Sequence, residues 1–237
     1  MLGTLINMGA IIAGSLIGLV IGRRFSSRVR ETIIAGLGLF TLGYGLLTFL
    51  ESTNPLIPLG GLLLGALLGE WWKIEKGMEI FGRFLKKIFI KDGSSQTNQV
   101  RFVEGFVTAS LVFIIGPMAI LGSVQDGLTG SIELLAIKST LDGFASIAFA
   151  SSLGVGVLFS ALSILLYQGS ITLLSGYFSR FFSDGMINEM TAVGGLILMA
   201  IAISSLLQIK KIRTGSYLPA LVVTPLIVFI VDRFFGG

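Results

Sequence analysis

Lys138 and Asp142 stand one helical turn apart in IELLAIKSTLDGFASIAFA (132–150), an otherwise apolar stretch. An ammonium and a carboxylate at this spacing meet on one helix face, where they either neutralise each other or hold a transported ion. Charge in hydrocarbon is costly and persists only with a partner or a water-filled cavity, so such a pair is first read as a functional site. At 100° per residue Ser139 and Ser146 share its arc, with Ser131 and Phe149 beside them. Asn7 in the first apolar run, and Tyr167 with Gln168 deep in another, add polar groups elsewhere. In a functional role Asp142 binds a coupling cation or proton, and Lys138 tunes it electrostatically or is displaced when the ion arrives. In a structural role the two form a permanent salt bridge. A purely structural helix could carry leucine there without the desolvation cost, which favours the functional role.

Composition identifies the solvent around these residues. The chain is 53% hydrophobic and 13% charged, with a mean hydropathy of +0.91, against about 25% charged in a soluble domain. It reads as an integral membrane protein. Cysteine and histidine are both absent, which removes disulfides, thiolate nucleophiles, imidazole bases and the usual zinc sites. There is no HExxH and no nucleophile elbow, and a single intramembrane aspartate is one short of aspartyl chemistry. The expectation is a protein that is not an enzyme and has no cofactor or metal. Nucleic acid is not expected as a partner either, because membrane topology accounts for the net charge of +4. The start, MLGTLINMGAIIAGSLIGLVIG, lacks a basic flank before its apolar stretch, which predicts a retained span rather than a signal peptide.

Apolar runs of about 20 residues, the length that crosses the hydrocarbon layer, fall at 2–22, 32–50, 56–72, 102–122, 132–150, 154–175, 190–208 and 217–232. The fold class is therefore all-α, a polytopic bundle of about eight transmembrane helices. With eight crossings, one side gathers Arg23, Arg24, Arg28 and Arg30, then Lys73, Lys76, Arg83, Lys86, Lys87, Lys91 and Arg101, then Lys210, Lys211 and Arg213. Those are 14 of the 17 basic residues, the asymmetry expected of the cytoplasmic side. Both termini are then predicted on the extracytoplasmic side. Segment 73–91 is too charged to span, but it places Ile74, Met78, Phe81, Leu85 and Ile88 at helical spacing behind Trp71 and Trp72. It reads as an amphipathic helix on the cytoplasmic surface, followed by a polar linker at 92–99.

Residues 14–40 resemble 169–198: a Gly-Ser start, a Phe-Ser turn with Arg, an acidic residue, then paired glycines. The likeness continues faintly from 57–72 to 218–234. Spans one to three then repeat as spans six to eight, and an odd separation makes the repeat inverted. The single transmembrane domain, 1–237, divides into a first repeat (1–72), the surface helix and linker (73–101), central spans four and five (102–153) and a second repeat (154–237). Inverted-repeat transporters bind at the midplane, often on broken helices. Gly116-Pro117, GSVQDG (122–127) and SSLGVG (151–156) are candidate breaks that would free backbone carbonyls. Gly14, Gly18 and Gly22 form one four-residue ladder and Gly61, Gly65 and Gly69 another. Such ladders suit close helix packing, between spans one and three or across a homodimer. TLGYG (41–45) is like a potassium-channel filter, but continuous apolar sequence on both sides argues for a plain helix.

GPMAILGSVQDGLTG (116–130), KSTLDGFASIAFASSLGVGVLFSA (138–161) and YQGSITLL (167–174), with the MLGTLIN start and RETI (30–33), resemble the YqgA/YdfK-like family of bacterial inner-membrane proteins. The resemblance covers essentially the whole chain. It implies a multi-pass protein of the inner membrane, labelled as a transport protein with no assigned substrate, and it strengthens the choice of Gln125, Asp126, Lys138, Asp142, Ser146 and Gln168. With Ser139 and Asn7 these make the expected substrate- or ion-binding set. A secondary transporter coupled to H+ or Na+ is the leading expectation. An ion or small-solute channel and a non-transporting assembly or stress protein are the alternatives.

Overall fold

Each apolar run must satisfy its own backbone hydrogen bonds in lipid, and the α-helix is the structure that does so within one segment. The computed structural model describes residues 1–89, 96–115, 117–177 and 182–235, and among them it contains helices and no strand. The helices are α1 (Leu2–Gly22), α2 (Ser27–Leu50), α3 (Leu56–Trp71), α4 (Ile74–Phe89), α5 (Gln96–Ile114), α6 (Pro117–Thr129), α7 (Glu133–Leu153), α8 (Gly156–Leu173), α9 (Asp184–Ile201) and α10 (Ala220–Phe235). A π-helical turn, Ala202–Leu206, extends α9, and a 3-10 turn, Thr214–Tyr217, precedes α10.

Local chemistry sets several ends. Ser183 caps α9 by accepting from the Met186 N–H, with Asp184 in the first turn where a helix favours negative charge. Gly154, at φ +87, ends α7 in a conformation that a side chain would resist. Pro117 opens α6, a position where its missing N–H costs nothing.

Among the described residues, six helices are long and apolar enough to cross a membrane. The pair 101–114 and 118–129 is bent by 63° and makes a seventh if it is one span. At 16 residues α3 is apolar but short. Length and apolarity alone therefore do not reach the expected eight. Several other expectations change. The second span begins at Ser27, because RETI continues the helix. Residues 96–99 of the supposed linker belong to α5, and the rest lie outside the described residues. GSVQDG lies within α6 and frees no carbonyl by breaking the chain. TLGYG is ordinary helix inside α2, which removes the filter reading. Gly116 lies outside the described residues.

The chain divides into two compact units. The first holds the residues up to Leu37, α5 to α8 and most of α4. In it α1 lies along α7: Cβ atoms on Gly14, Gly18 and Gly22 would strike the backbone of Gly143, Ile147 and Ser151 in turn. The constant step of four on both helices means that they run parallel. Against α8 the register runs the other way, Thr4 meeting Thr172 and Asn7 meeting Gln168. α5 runs parallel to α8, with Phe102 on Phe159 and Ser110 on Ser163. Phe81 of α4 meets the Phe106 ring at 5.8 Å.

The second unit holds α2 from Gly38, α3, α9 and α10. Here the other glycine ladder packs on α10 and the 3-10 turn before it, with Gly61 against Thr224, Gly65 against Ala220 and Gly69 against Ser216. Both ladders are thus occupied within the chain, on α7 and α10, and not between spans one and three. α2 and α9 are antiparallel, Gly38 facing Leu206 and Leu207 while Gly45 and Gly195 face each other. Glu189, 2% exposed, accepts from Ser52 Oγ (2.6 Å), Thr53 N (2.9 Å), Thr53 Oγ1 (2.7 Å) and Asn54 N (3.2 Å), fastening the α2–α3 turn to α9. Glu70 receives Arg213 Nη1 and Ser216 Oγ, and Glu75 receives the Gly215 N–H.

Candidate functional site

The first unit buries a polar cluster where α1, α7 and α8 meet. The glycines make this possible: with only hydrogens on the α1 face at positions 14, 18 and 22, α1 lies close enough to α7 for Asn7 to reach its polar arc. Lys138 Nζ lies 2.7 Å from Asp142 Oδ2, and the two residues are 6% and 7% exposed. Asn7 Nδ2 donates to the same Asp142 oxygen at 3.0 Å and to Gln168 Oε1 at 3.2 Å. One turn toward the start of α1, Thr4 Oγ1 and Thr172 Oγ1 are 3.4 Å apart. One turn the other way along both helices the register places Ile11 opposite Ile164, both fully buried, an apolar layer with the buried Ser15 and Ser160 one turn beyond it.

Of the predicted residues, Asn7, Lys138, Asp142 and Gln168 are brought into direct contact. Ser139 and Ser146 are buried beside them, but their hydroxyls donate back to the Leu135 and Gly143 carbonyls of their own helix. Asp126 is not part of the cluster. Its Oδ2 accepts from the Gly3 N–H at 3.1 Å and lies 2.8 Å from the Met1 amino group. Gln125 is on the same helix, and its buried Oε1 finds no partner among the described residues. Thr4 and Thr172 escaped the sequence reading, although each lies one turn from a named residue, Asn7 or Gln168, and so shares its face. Glu189 escaped it as well, since its donors lie in a distant turn.

The cluster is not fully satisfied. Asn7 Oδ1 and Gln168 Nε2 are buried with no hydrogen-bond partner among the described residues. Leaving a buried polar atom unpaired costs about 1–3 kcal/mol, and here two such atoms stand on adjoining amides beside the ion pair.

A family described as a protein of unknown function (DUF554) matches the chain over residues 2–229. The chain belongs to the DUF554 family. Within it, the chain is 31% identical to an uncharacterized membrane protein, YdfK, of Bacillus subtilis (strain 168), over 238 aligned positions covering 99% of this chain and 98% of the relative. It is 29% identical to an uncharacterized protein, YqgA, of Escherichia coli (strain K12), over 220 positions covering 93% of each. No solved structure matches. One relative is named a membrane protein, and the several apolar helices of this chain are consistent with a membrane protein.

Proposed function

We propose that the protein is a secondary transporter of a small solute or ion, without enzymatic activity, whose site is the Asn7–Lys138–Asp142–Gln168 cluster. The unpartnered amide atoms beside a buried ion pair carry this reading, because they leave hydrogen-bonding capacity for a cargo or a coupling ion. Asp142 lies halfway along α7, which supports a site near the midplane of a crossing helix. Transport in either direction needs the site closed on one side at a time, and the Ile11 and Ile164 layer supplies one closure. A channel would instead need a continuous wet path.

Eight crossings fit this reading best, counting α3 and taking α5 with α6 as one broken span. Helix direction supports that number. Parallel α1 and α7 require an even number of crossings from one to the other, which six or eight in total supply and seven does not. Of these, only eight keeps the basic residues of 73–101 on the side of Arg23 and Arg24. Both termini are then extracytoplasmic, in the bacterial inner membrane. The inverted repeat gains support from three contacts: α1 lies antiparallel to α8, α2 to α9 and α3 to α10. Mates of an inverted repeat must run in opposite directions. Lipid, or a second copy in a homodimer, covers outward apolar residues such as Leu39, Phe40, Leu47 and Leu67.

Thermal stability of the purified wild type and Asp142→Asn, measured across cations, amino acids and small anions, tests the proposal. A ligand at 100 times its Kd adds about 2.7 kcal/mol. A shift in the wild type that is lost in the variant supports it, and no shift in either protein counts against it.

A further inference from the structure

The two amides of the site indicate what it loads. Asn7 Nδ2 donates in two directions, to Asp142 Oδ2 and to Gln168 Oε1. An ionised Asp142 oxygen is the strongest acceptor for this sense of the chain. The far ends of the amides, Asn7 Oδ1 and Gln168 Nε2, are the atoms without partners. An amide turned by 180° occupies the same space with its donor and acceptor exchanged. With both turned, Gln168 Nε2 donates to Asn7 Oδ1, and Asn7 Oδ1 faces an Asp142 carboxyl that must supply a proton of its own. The same groups thus have a second arrangement, which opens once a proton lies on the Asp142 oxygen that faces Asn7.

Charge restricts what accompanies that proton. As it stands the Lys138–Asp142 pair is neutral and almost completely buried. A proton alone would leave an uncompensated positive charge there, and an anion alone a negative one, each strongly opposed by desolvation. The two together restore neutrality. Protonation of Asp142 also cancels the charge that pairs Lys138 Nζ and leaves it only neutral oxygens as acceptors, while the turned Asn7 presents its Nδ2 on the side where Oδ1 now lies. A metal cation fits less well, because Asp142 Oδ2 already receives an ammonium and an amide N–H that would repel it.

Other ionisable groups on the packed elements stand apart from this exchange. Asp126 of α6 and the Met1 amino group pair with each other. Arg101 of α5 donates to the Ser152 carbonyl, ten residues along α7 from Asp142 or about 15 Å. Glu104 of α5, Tyr167 of α8 and the exposed Glu133 of α7 make no hydrogen bond to Lys138 or Asp142 among the described residues. Resting on the transporter reading, we infer that the cluster loads a small monovalent anion on Lys138 together with a proton on Asp142, as an electroneutral pair, the Asn7 and Gln168 amides reversing as it does so.

The test uses the full-length protein in liposomes, with acetate, lactate, nitrate and chloride as probes. An inward acid gradient should drive uphill uptake of at least one of them beyond what protein-free liposomes take up, unchanged when valinomycin and potassium clamp the membrane potential. Asp142→Asn should lose that accumulation. Infrared difference spectra should show a protonated carboxyl band on acidification only when that anion is present, absent in Asp142→Asn and shifted in Gln168→Leu. The wild-type spectra decide the anion requirement even if a variant fails to fold. A band that forms without any anion, no band with any of the four, or uptake that carries current overturns the inference. Current-carrying uptake would still leave a transporter, whereas anion-dependent protonation without uptake would end the transporter reading and keep the paired loading.

Discussion

Asn7 and Asp142 are 135 positions apart in the chain, and their side chains meet at 3.0 Å inside the α1–α7–α8 contact. Asn7 thereby turns an ion pair on one helix into a site shared by three. The same contact makes the pair's energetics measurable. Lys138→Met leaves the Asp142 carboxylate with Asn7 alone and should destabilise the protein by about 3–5 kcal/mol, the usual result of breaking a buried pair from one side. Asp142→Asn leaves the Lys138 ammonium equally uncompensated and should cost a comparable amount. Replacing both, Lys138→Met with Asp142→Leu, should recover most of the loss. Unfolding in detergent, analysed as a double-mutant cycle, measures the coupling. Additive losses in the double variant would show that the two side chains do not act as a pair.

Glycines on α1 should divide by what they face. A Cβ at Gly18 would strike the Ile147 carbonyl and the Ala150 side chain, whereas one at Gly9 meets nothing within 4 Å. Gly18→Ala must push α1 from α7 and should lower stability by about 1–3 kcal/mol. Gly9→Ala removes a flexible residue from a helix and should be neutral or stabilising by up to about 1 kcal/mol. Melting temperatures of the two variants check this, and equal values would mean that the α1–α7 approach is looser than described. Gly18→Ala should also weaken ligand-induced stabilisation, since Asn7 reaches Asp142 only across that approach.

How much of this was legible depended on range. Lys138 and Asp142 declare themselves because an i, i+4 pair is local and the surrounding run is apolar. Asn7 and Gln168 stand out as polar residues in apolar runs, but nothing local says that they touch. The 63° bend between 101–114 and 118–129 has a local signal in Pro117, since proline favours a helix start, while Gly116 lies outside the described residues. GSVQDG looked equally broken and is helical, because Gly122 serves as a contact under Leu134 and Leu135 rather than as a turn. The glycine ladders announced close packing but not their partners, α7 and α10, since register between helices is set by both surfaces at once. Glu189 gave no signal at all: it sits near a helix start, where an acidic residue is ordinary, and its donors at Ser52 to Asn54 lie more than 130 positions away.

Glu189 itself is open to test. Its carboxylate collects two hydroxyls and two backbone N–H groups from Ser52, Thr53 and Asn54. Glu189→Leu leaves those N–H groups without their acceptor and should cost about 3 kcal/mol or more, at about 1.5–3 kcal/mol for each bond to a charged group. Glu189→Gln keeps one oxygen, and the Ser52 hydroxyl can turn to accept from the new amide, so its loss should be smaller. Hydrogen exchange of a peptide spanning the α2–α3 turn should quicken strongly for leucine and slightly for glutamine. Unchanged exchange in the leucine variant would mean that the turn is held by other contacts.

Because the chain contains no cysteine, single cysteines can report topology without removing native ones. With eight crossings, an impermeant thiol reagent added to intact cells should label Glu51→Cys and Thr129→Cys. It should label Arg24→Cys, Lys73→Cys and Ile209→Cys only after the membrane is opened. Lys73 is the discriminating position, since it follows α3, whose 16 residues rise about 24 Å, short of the roughly 30 Å hydrocarbon core. A short helix is accommodated by local thinning of the bilayer and by flanking aromatic and basic side chains, and Trp71, Trp72 and Lys73 stand at that end. If Lys73→Cys labels from outside together with Glu51→Cys, α3 turns back without crossing. The α3–α10 pair then cannot be mates of an inverted repeat, and the basic segment that follows would have to reach the cytoplasm by another route.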